Sequence, residues 1–295
     1  MERVKELSGV WLPIITPFLN DAVDYGSYRT LIDDYIGQGI AGLIPLGTTG
    51  ESPAIGDAEY LPLVEKTLEY VAGRVPVYVG AGGNYTAKVV KLLQTLQSYP
   101  IDGVLTVCPY YNRPDQRGIY EHFLRLSEAT DLNIAVYNIP YRTGRNIEND
   151  TIRRLAALKN IVGLKDSCGD IKQSSELLLD PPADFSIMTG EDALFFTTLA
   201  LGGAGGILAA AHLETAQFVT VYQRMRANDH RAARDAWKPL AELVPLLFGE
   251  PNPAPLKYCL HKMGRIQSAA TRLPLMEITP QLAMKLDRFM QKTAR

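Results

Sequence analysis

The chain is poor in the residues that build metal and redox centres. Among its 295 residues are three cysteines, Cys108, Cys168 and Cys259, and no two of them form a CxxC pair. An odd, scattered set of thiols suits a reducing compartment, so a cytoplasmic location without disulfides is expected. The four histidines (His122, His212, His230, His261) are equally dispersed, and no metal site is expected. No apolar run approaches the length of a membrane span. The opening stretch MERVKELSGVWLPIITPF lacks the layout of a signal peptide. An excess of one charge is missing as well. A net charge of −2 and a pI near 6.1 give no electrostatic case for binding nucleic acid or an anionic membrane. What the chain does have is an ordinary globular balance, 46% hydrophobic and 21% charged, enough for a large core.

Short apolar runs recur, each followed by a segment with helical spacing. The runs are 10–16, 41–46, 75–80, 103–107, 133–139, 161–165, 185–189 and 205–209. Helices are predicted at about 26–38, 57–72, 86–98, 116–130, 148–158, 171–179, 191–201 and 213–227. Eight strand–helix alternations, spaced by roughly 28 residues, imply a parallel sheet covered on its outside. The expected fold is an α/β (β/α)8 TIM barrel. A doubly wound sheet would want a glycine fingerprint after its first strand, and WLPIITPFLND offers none. After residue 227 the strand signal stops. Residues 1–227 are therefore read as the catalytic barrel and 228–295 as a helical C-terminal extension packed on it.

In such a barrel the chemistry sits at the C-terminal ends of the strands. GTTGES (47–52) follows the second strand, with Thr48 and Thr49; CPYYNRP, with Tyr110 and Tyr111, follows the fourth. The fifth ends in YNIPYRTG, with Tyr137 and Arg142; the sixth ends in Lys165; the seventh ends in TGED, with Gly190, Glu191 and Asp192. Around the eighth lies LGGAGGILAAAH (201–212), which carries no GK[ST] and no GxGxxG. Each element has a plain structural alternative. A strand-end lysine can snorkel, Thr and Ser cap helices, tyrosines pack, and Glu191 and Asp192 can simply favour a helix N-terminus. Together, on one face, an amine, several hydroxyls and an arginine suggest more. A neutral lysine can attack a ketone and lose water to leave an iminium, which acts as an electron sink. Hydroxyls can shuttle the protons, and an arginine can clamp a carboxylate in a bidentate fork. The expected substrates are a 2-keto acid and an acidic aldehyde.

GTTGES, CPYYNRP, YNIPYRTG, GLKDSCG and TGED, in this order and spacing, resemble the dihydrodipicolinate synthase group of the pyruvate-dependent class I aldolases, whose superfamily also holds N-acetylneuraminate lyase. The resemblance runs from about residue 8 to the end, including PNPAPLK at 251–257. It implies a lyase of lysine and diaminopimelate biosynthesis that joins pyruvate to L-aspartate 4-semialdehyde through a Schiff base on Lys165. It further implies that Tyr137 donates and accepts the proton and that Thr48 links Tyr137 to Tyr111 in a relay. In this family the second tyrosine enters from a neighbouring subunit. Thr49 and the backbone at Ile207 would hold the pyruvate carboxylate, Arg142 would receive the aldehyde, and the backbone of Gly190 would face the site. A homotetramer of tight dimers, without metal or organic cofactor, is implied.

The chain departs from the family pattern at Tyr141, where a small residue is usual, and at AAAH (209–212). In the region where lysine-inhibited members bind the feedback amino acid, Asn84 and Tyr110 match. Lys88 replaces an acid there and Tyr60 takes the helix position. A cation at 88 repels a ligand amine, so weak or absent lysine inhibition is expected. Two other readings remain open: a related aldolase or dehydratase acting on a sugar-derived 2-keto acid, and a non-catalytic barrel that senses a keto acid.

Overall fold

The computed structural model describes residues 7–293. It contains ten strands: β1 (Gly9–Leu12), β2 (Phe18–Leu19), β3 (Ala22–Val23), β4 (Gly42–Leu43), β5 (Tyr78–Gly80), β6 (Gly103–Val107), β7 (Asn133–Asn138), β8 (Ile161–Asp166), β9 (Ser186–Thr189) and β10 (Gly205–Ile207). Eight of them form one sheet in the order β4-β1-β10-β9-β8-β7-β6-β5. The registered ladders are parallel, and the order follows the chain cyclically, with a helix between successive sheet strands. This is the (β/α)8 arrangement that the alternation predicts.

The chain divides into two compact units, one reaching to Trp11 and resuming over Pro76–Ile207, the other comprising Leu12–Val75 and the chain from Leu208. In the first unit β6, β7 and β8 are buried nearly throughout, with Val104, Leu164 and Met188 of β9 fully enclosed. Burial of such side chains contributes roughly 1.5–3 kcal/mol each. Two helices of this unit open on a side-chain cap. Asp115 accepts the Gly118 N–H at the head of helix Gln116–Ala129, and Asp170 accepts from Lys172 and Gln173 at the head of Ile171–Leu179. Each such cap is worth about 1 kcal/mol.

In the second unit the ladder between β1 and β4 continues as Ile44 N–H to Leu12 O (2.8 Å) and Ile14 N–H to Ile44 O (3.0 Å). Helices Thr215–Arg226 and His230–Leu247 pack together, with Gln217 Nε2 donating to Ala236 O at 2.9 Å.

The observed strands are shorter than the apolar runs. The first stops at Leu12 because Pro13 has no N–H to give, and the second stops at Leu43. Residues 191–201 form a 3₁₀ turn at Asp192–Leu194 and then a helix over Phe195–Ala200. The β2–β3 hairpin lies inside what reads from sequence as a loop.

Candidate active site

Lys165 lies one residue inside the end of β8, not beyond it. It pairs with Tyr137 on one side and Met188 on the other. Residues paired across a ladder project to the same face, so Lys165 and Tyr137 emerge together. The pairing depends on an irregularity between β7 and β8: Ile134 faces Ile161, whereas Ala135 faces Gly163, so Val162 is taken up as an extra residue. With straight register Tyr137 would face Leu164. The Lys165 Nζ sits 4.2 Å from the centre of the Tyr137 ring.

A snorkelling lysine would keep its ammonium in water; Lys165 is only 6% exposed. Burial pulls its ammonium down to about 8, from an ordinary 10.5. Asp192 opposes this most strongly, Tyr141 and Glu191 oppose it less, and the Arg142 guanidinium adds to the lowering. The same burial raises Glu191 above the usual carboxylate range, against the pull of Lys165.

Asp192 is the residue that the sequence undersold. It reads as an acid at a helix start, yet it is buried and its charge bears on Lys165.

Alternation sends Asp166 to the other side of β8. There it accepts from Ser174 Oγ (2.5 Å) and the Cys168 N–H (3.1 Å), tying the turn to the next helix. Its backbone oxygen accepts the Gly190 N–H at 2.7 Å, and Thr189 Oγ1 accepts the Glu191 N–H at 3.0 Å, which shapes the loop after β9. Gly190 is required there. A methyl group on it would lie 2.5 Å from Lys165 Cε and 2.8 Å from Cγ. Ile207, at the end of β10, is buried and pairs with Trp11 of β1. Arg142 is exposed on the short helix Pro140–Thr143, where its Nε donates to the Tyr141 hydroxyl at 3.2 Å. Tyr111 is 90% exposed, with φ of 71°. Tyr110 is also exposed; Asn112 holds this loop by donating its N–H to Tyr110 O and its amide to Asn84 O, both at 2.9 Å. Lys88 is exposed in the first turn of helix Thr86–Leu96.

The second unit carries GTTGES. Glu51 N–H bonds to Thr48 O (3.0 Å) and Gly50 N–H to Gly47 O (3.1 Å), and Thr16 Oγ1 donates to Gly50 O (2.8 Å). Thr48 is half-buried and Thr49 is 3% exposed. Thr49 Oγ1 accepts from Asn252 Nδ2 at 2.9 Å. Glu51, at φ 56°, is buried against Lys257 at 2.5 Å and accepts the Arg272 N–H at 3.0 Å. Lys257 also donates to Ala270 O (2.9 Å), and burial pulls its ammonium down to about 8 against the attraction of Glu51. PNPAPLK thus supplies Asn252 and Lys257 to the threonine turn, a role invisible in its sequence. Tyr60 is half-buried on helix Asp57–Val71, with its phenol raised by burial. In AAAH, His212 is buried and bonds backbone with both nitrogens: Nδ1 to Ala209 O at 2.8 Å, and Nε2 accepting the Ile15 N–H at 3.1 Å. Burial holds it neutral, its pKa down to about 3.

Residues 6–293 match the model of the dihydrodipicolinate synthetase family. A curated relative, 4-hydroxy-tetrahydrodipicolinate synthase 2 of Clostridium acetobutylicum, is 57% identical over 285 residues, covering 97% of this chain and all of that protein. The fold is similar to a chloride-inhibited dihydrodipicolinate synthase of Acinetobacter baumannii complexed with pyruvate (TM-score 0.94, 32% identity, 98% of this chain and 99% of the other). It is also similar to the synthase of Cyanidioschyzon merolae with lysine bound (TM-score 0.90, 32% identity, 97% and 98%).

Proposed function

Since the chain belongs to the dihydrodipicolinate synthetase family, we propose that it condenses pyruvate with L-aspartate 4-semialdehyde to 4-hydroxy-tetrahydrodipicolinate, a step of lysine and diaminopimelate biosynthesis. The observation that carries the chemistry is Lys165: a buried amine in β8, opposite Tyr137, with its pKa lowered to about 8. At neutral pH a useful fraction is unprotonated and nucleophilic, whereas an ordinary lysine is almost wholly ammonium.

The neutral amine adds to the pyruvate carbonyl carbon to give a carbinolamine. Protonation of its hydroxyl releases water and leaves an iminium. Loss of a methyl proton gives the enamine, whose carbon attacks the aldehyde, and the new alkoxide takes a proton. The amine of the semialdehyde then displaces Lys165 as the ring closes. Tyr137 is the proton carrier in this reading. The relay roles of Thr48 and Tyr111, the carboxylate roles of Thr49 and the Ile207 backbone, and the aldehyde role of Arg142 belong to the proposal and rest on the family resemblance. Arg142 is suited to its part, being an exposed guanidinium whose charge is felt at Lys165. Residues 1–227 are the catalytic barrel in this reading and 228–295 its helical extension. The exposed Tyr111 suits a homotetramer in which it completes a neighbour's site. No helix of the described residues is long and apolar enough to cross a membrane, and a cytoplasmic enzyme is proposed.

The test is borohydride reduction in the presence of pyruvate, followed by peptide mapping. The expected result is an adduct on Lys165 and none in Lys165→Met. Folded protein that gains no adduct at neutral pH overturns the reading.

A further inference from the structure

We propose that Asn252 is a positioning residue for pyruvate: by donating to Thr49 Oγ1 it leaves that hydroxyl's only proton free to reach the substrate carboxylate. The inference rests on the reading of Thr49 as a carboxylate ligand. A threonine hydroxyl has one proton to give and two lone pairs that accept. Left to itself, a buried hydroxyl turns its proton to the nearest backbone carbonyl, as Thr16 does toward Gly50 O and Thr215 toward Ala211 O. At Thr49 the Asn252 amide fills an acceptor position from 2.9 Å, and both side chains are buried. The bond restricts the hydroxyl rotor and directs the proton elsewhere. Donation by the amide also polarises the hydroxyl, which strengthens the bond it makes in turn.

Anchoring the loop is a separate task with separate residues. Glu51, two positions further, is gripped by Lys257 and by the Arg272 backbone. The turn itself closes through Glu51 N–H to Thr48 O. Among the described residues the Asn252 side chain donates to the Thr49 hydroxyl alone, so its loss should be felt in pyruvate binding rather than in folding.

Replacement by the isosteric carboxylate inverts the polarity. In Asn252→Asp the new group accepts Thr49's proton and sets a negative charge behind it. Asn252→Ala removes the donor and leaves the proton unguided. The KM for pyruvate is expected to rise on the order of tenfold in Asn252→Ala and a hundredfold or more in Asn252→Asp, with kcat at saturating pyruvate changed about twofold or less. The thermal midpoint and the KM for the aldehyde should stay close to those of the parent. In a Thr49→Val background, Asn252→Ala should add nothing further.

Equal KM values in Asn252→Asp and the parent, with Thr49→Val impaired, would overturn this inference alone. An unaffected KM in Thr49→Val would overturn the carboxylate reading of Thr49 and the inference with it. A fall in kcat and thermal midpoint without a change in KM would make Asn252 merely structural. Should N252D not fold, Asn252→Ala and its cycle with Thr49→Val decide the question.

Discussion

Lys165 and Tyr137 occupy the same rung of adjacent parallel strands, with the lysine nitrogen 4.2 Å from the centre of the tyrosine ring. The rung lies past an irregularity in the ladder, and burial there lowers the amine to about 8. Adduct formation requires the neutral amine. The second-order rate of pyruvate trapping should therefore rise about tenfold per pH unit up to about 8 and level off above it. Stopped-time borohydride trapping across pH 6–10 measures this. A flat profile below pH 8 would contradict a titrating nucleophile.

The same burial has a stability sign. The folded-state pKa of Lys165 lies below its unfolded value of 10.5, so its desolvation penalty is full below about pH 8 and is relieved as pH rises from 8 to 10.5. Lys165→Met removes that penalty. Its denaturation midpoint should exceed the parent's at pH 7, and the gap should close toward pH 10.5.

Gly190→Ala should leave the fold intact and the enzyme crippled. The added methyl falls against Ser167 Oγ and against Lys165 Cε and Cγ, so both side chains must shift and the amine with them. A displacement on the order of 1 Å can cost about a hundredfold in rate. The check is kcat alongside an unchanged circular dichroism spectrum.

Lys257→Met removes one partner of a fully buried ion pair and strands Glu51. A loss of roughly 3–5 kcal/mol is expected in urea denaturation, with much of it recovered in the double change Lys257→Met, Glu51→Leu. Additive losses in the double variant would count against the pairing.

Lys88 is exposed in the first turn of its helix, near the loop held by Asn84 and Asn112. Sub-millimolar L-lysine should leave the rate of the purified protein unchanged, because one ammonium repels another. A steep inhibition curve in a coupled assay would refute this.

The barrel was legible because its apolar runs recur with helices between them, a pattern set by local periodicity. Boundaries were less so: Pro13 ends β1 inside its apolar run. The small hairpin after it rests on Asn20 and Asp21, which both adopt positive φ (51° and 62°) in the two-residue turn between β2 and β3. The strand-end setting of Lys165 was legible, but the burial of Asp192 was not, because an acid at a helix start looks alike exposed or enclosed. The bond from Asn252 to Thr49 spans 203 residues, and nothing local in either segment announces it.

The extra residue in β8 makes the facing of Lys165 a matter of parity. Lys165 and Asp166 are neighbours in the chain and opposites in space, one turned toward Tyr137 and the other toward Ser174. The slack at Val162 lies upstream of both, so nothing after Gly163 absorbs a miscount. A single residue inserted between Gly163 and Leu164 would exchange odd for even, setting Leu164 opposite Tyr137 where the amine now stands. In this buried strand the number of residues is constrained as tightly as their identity.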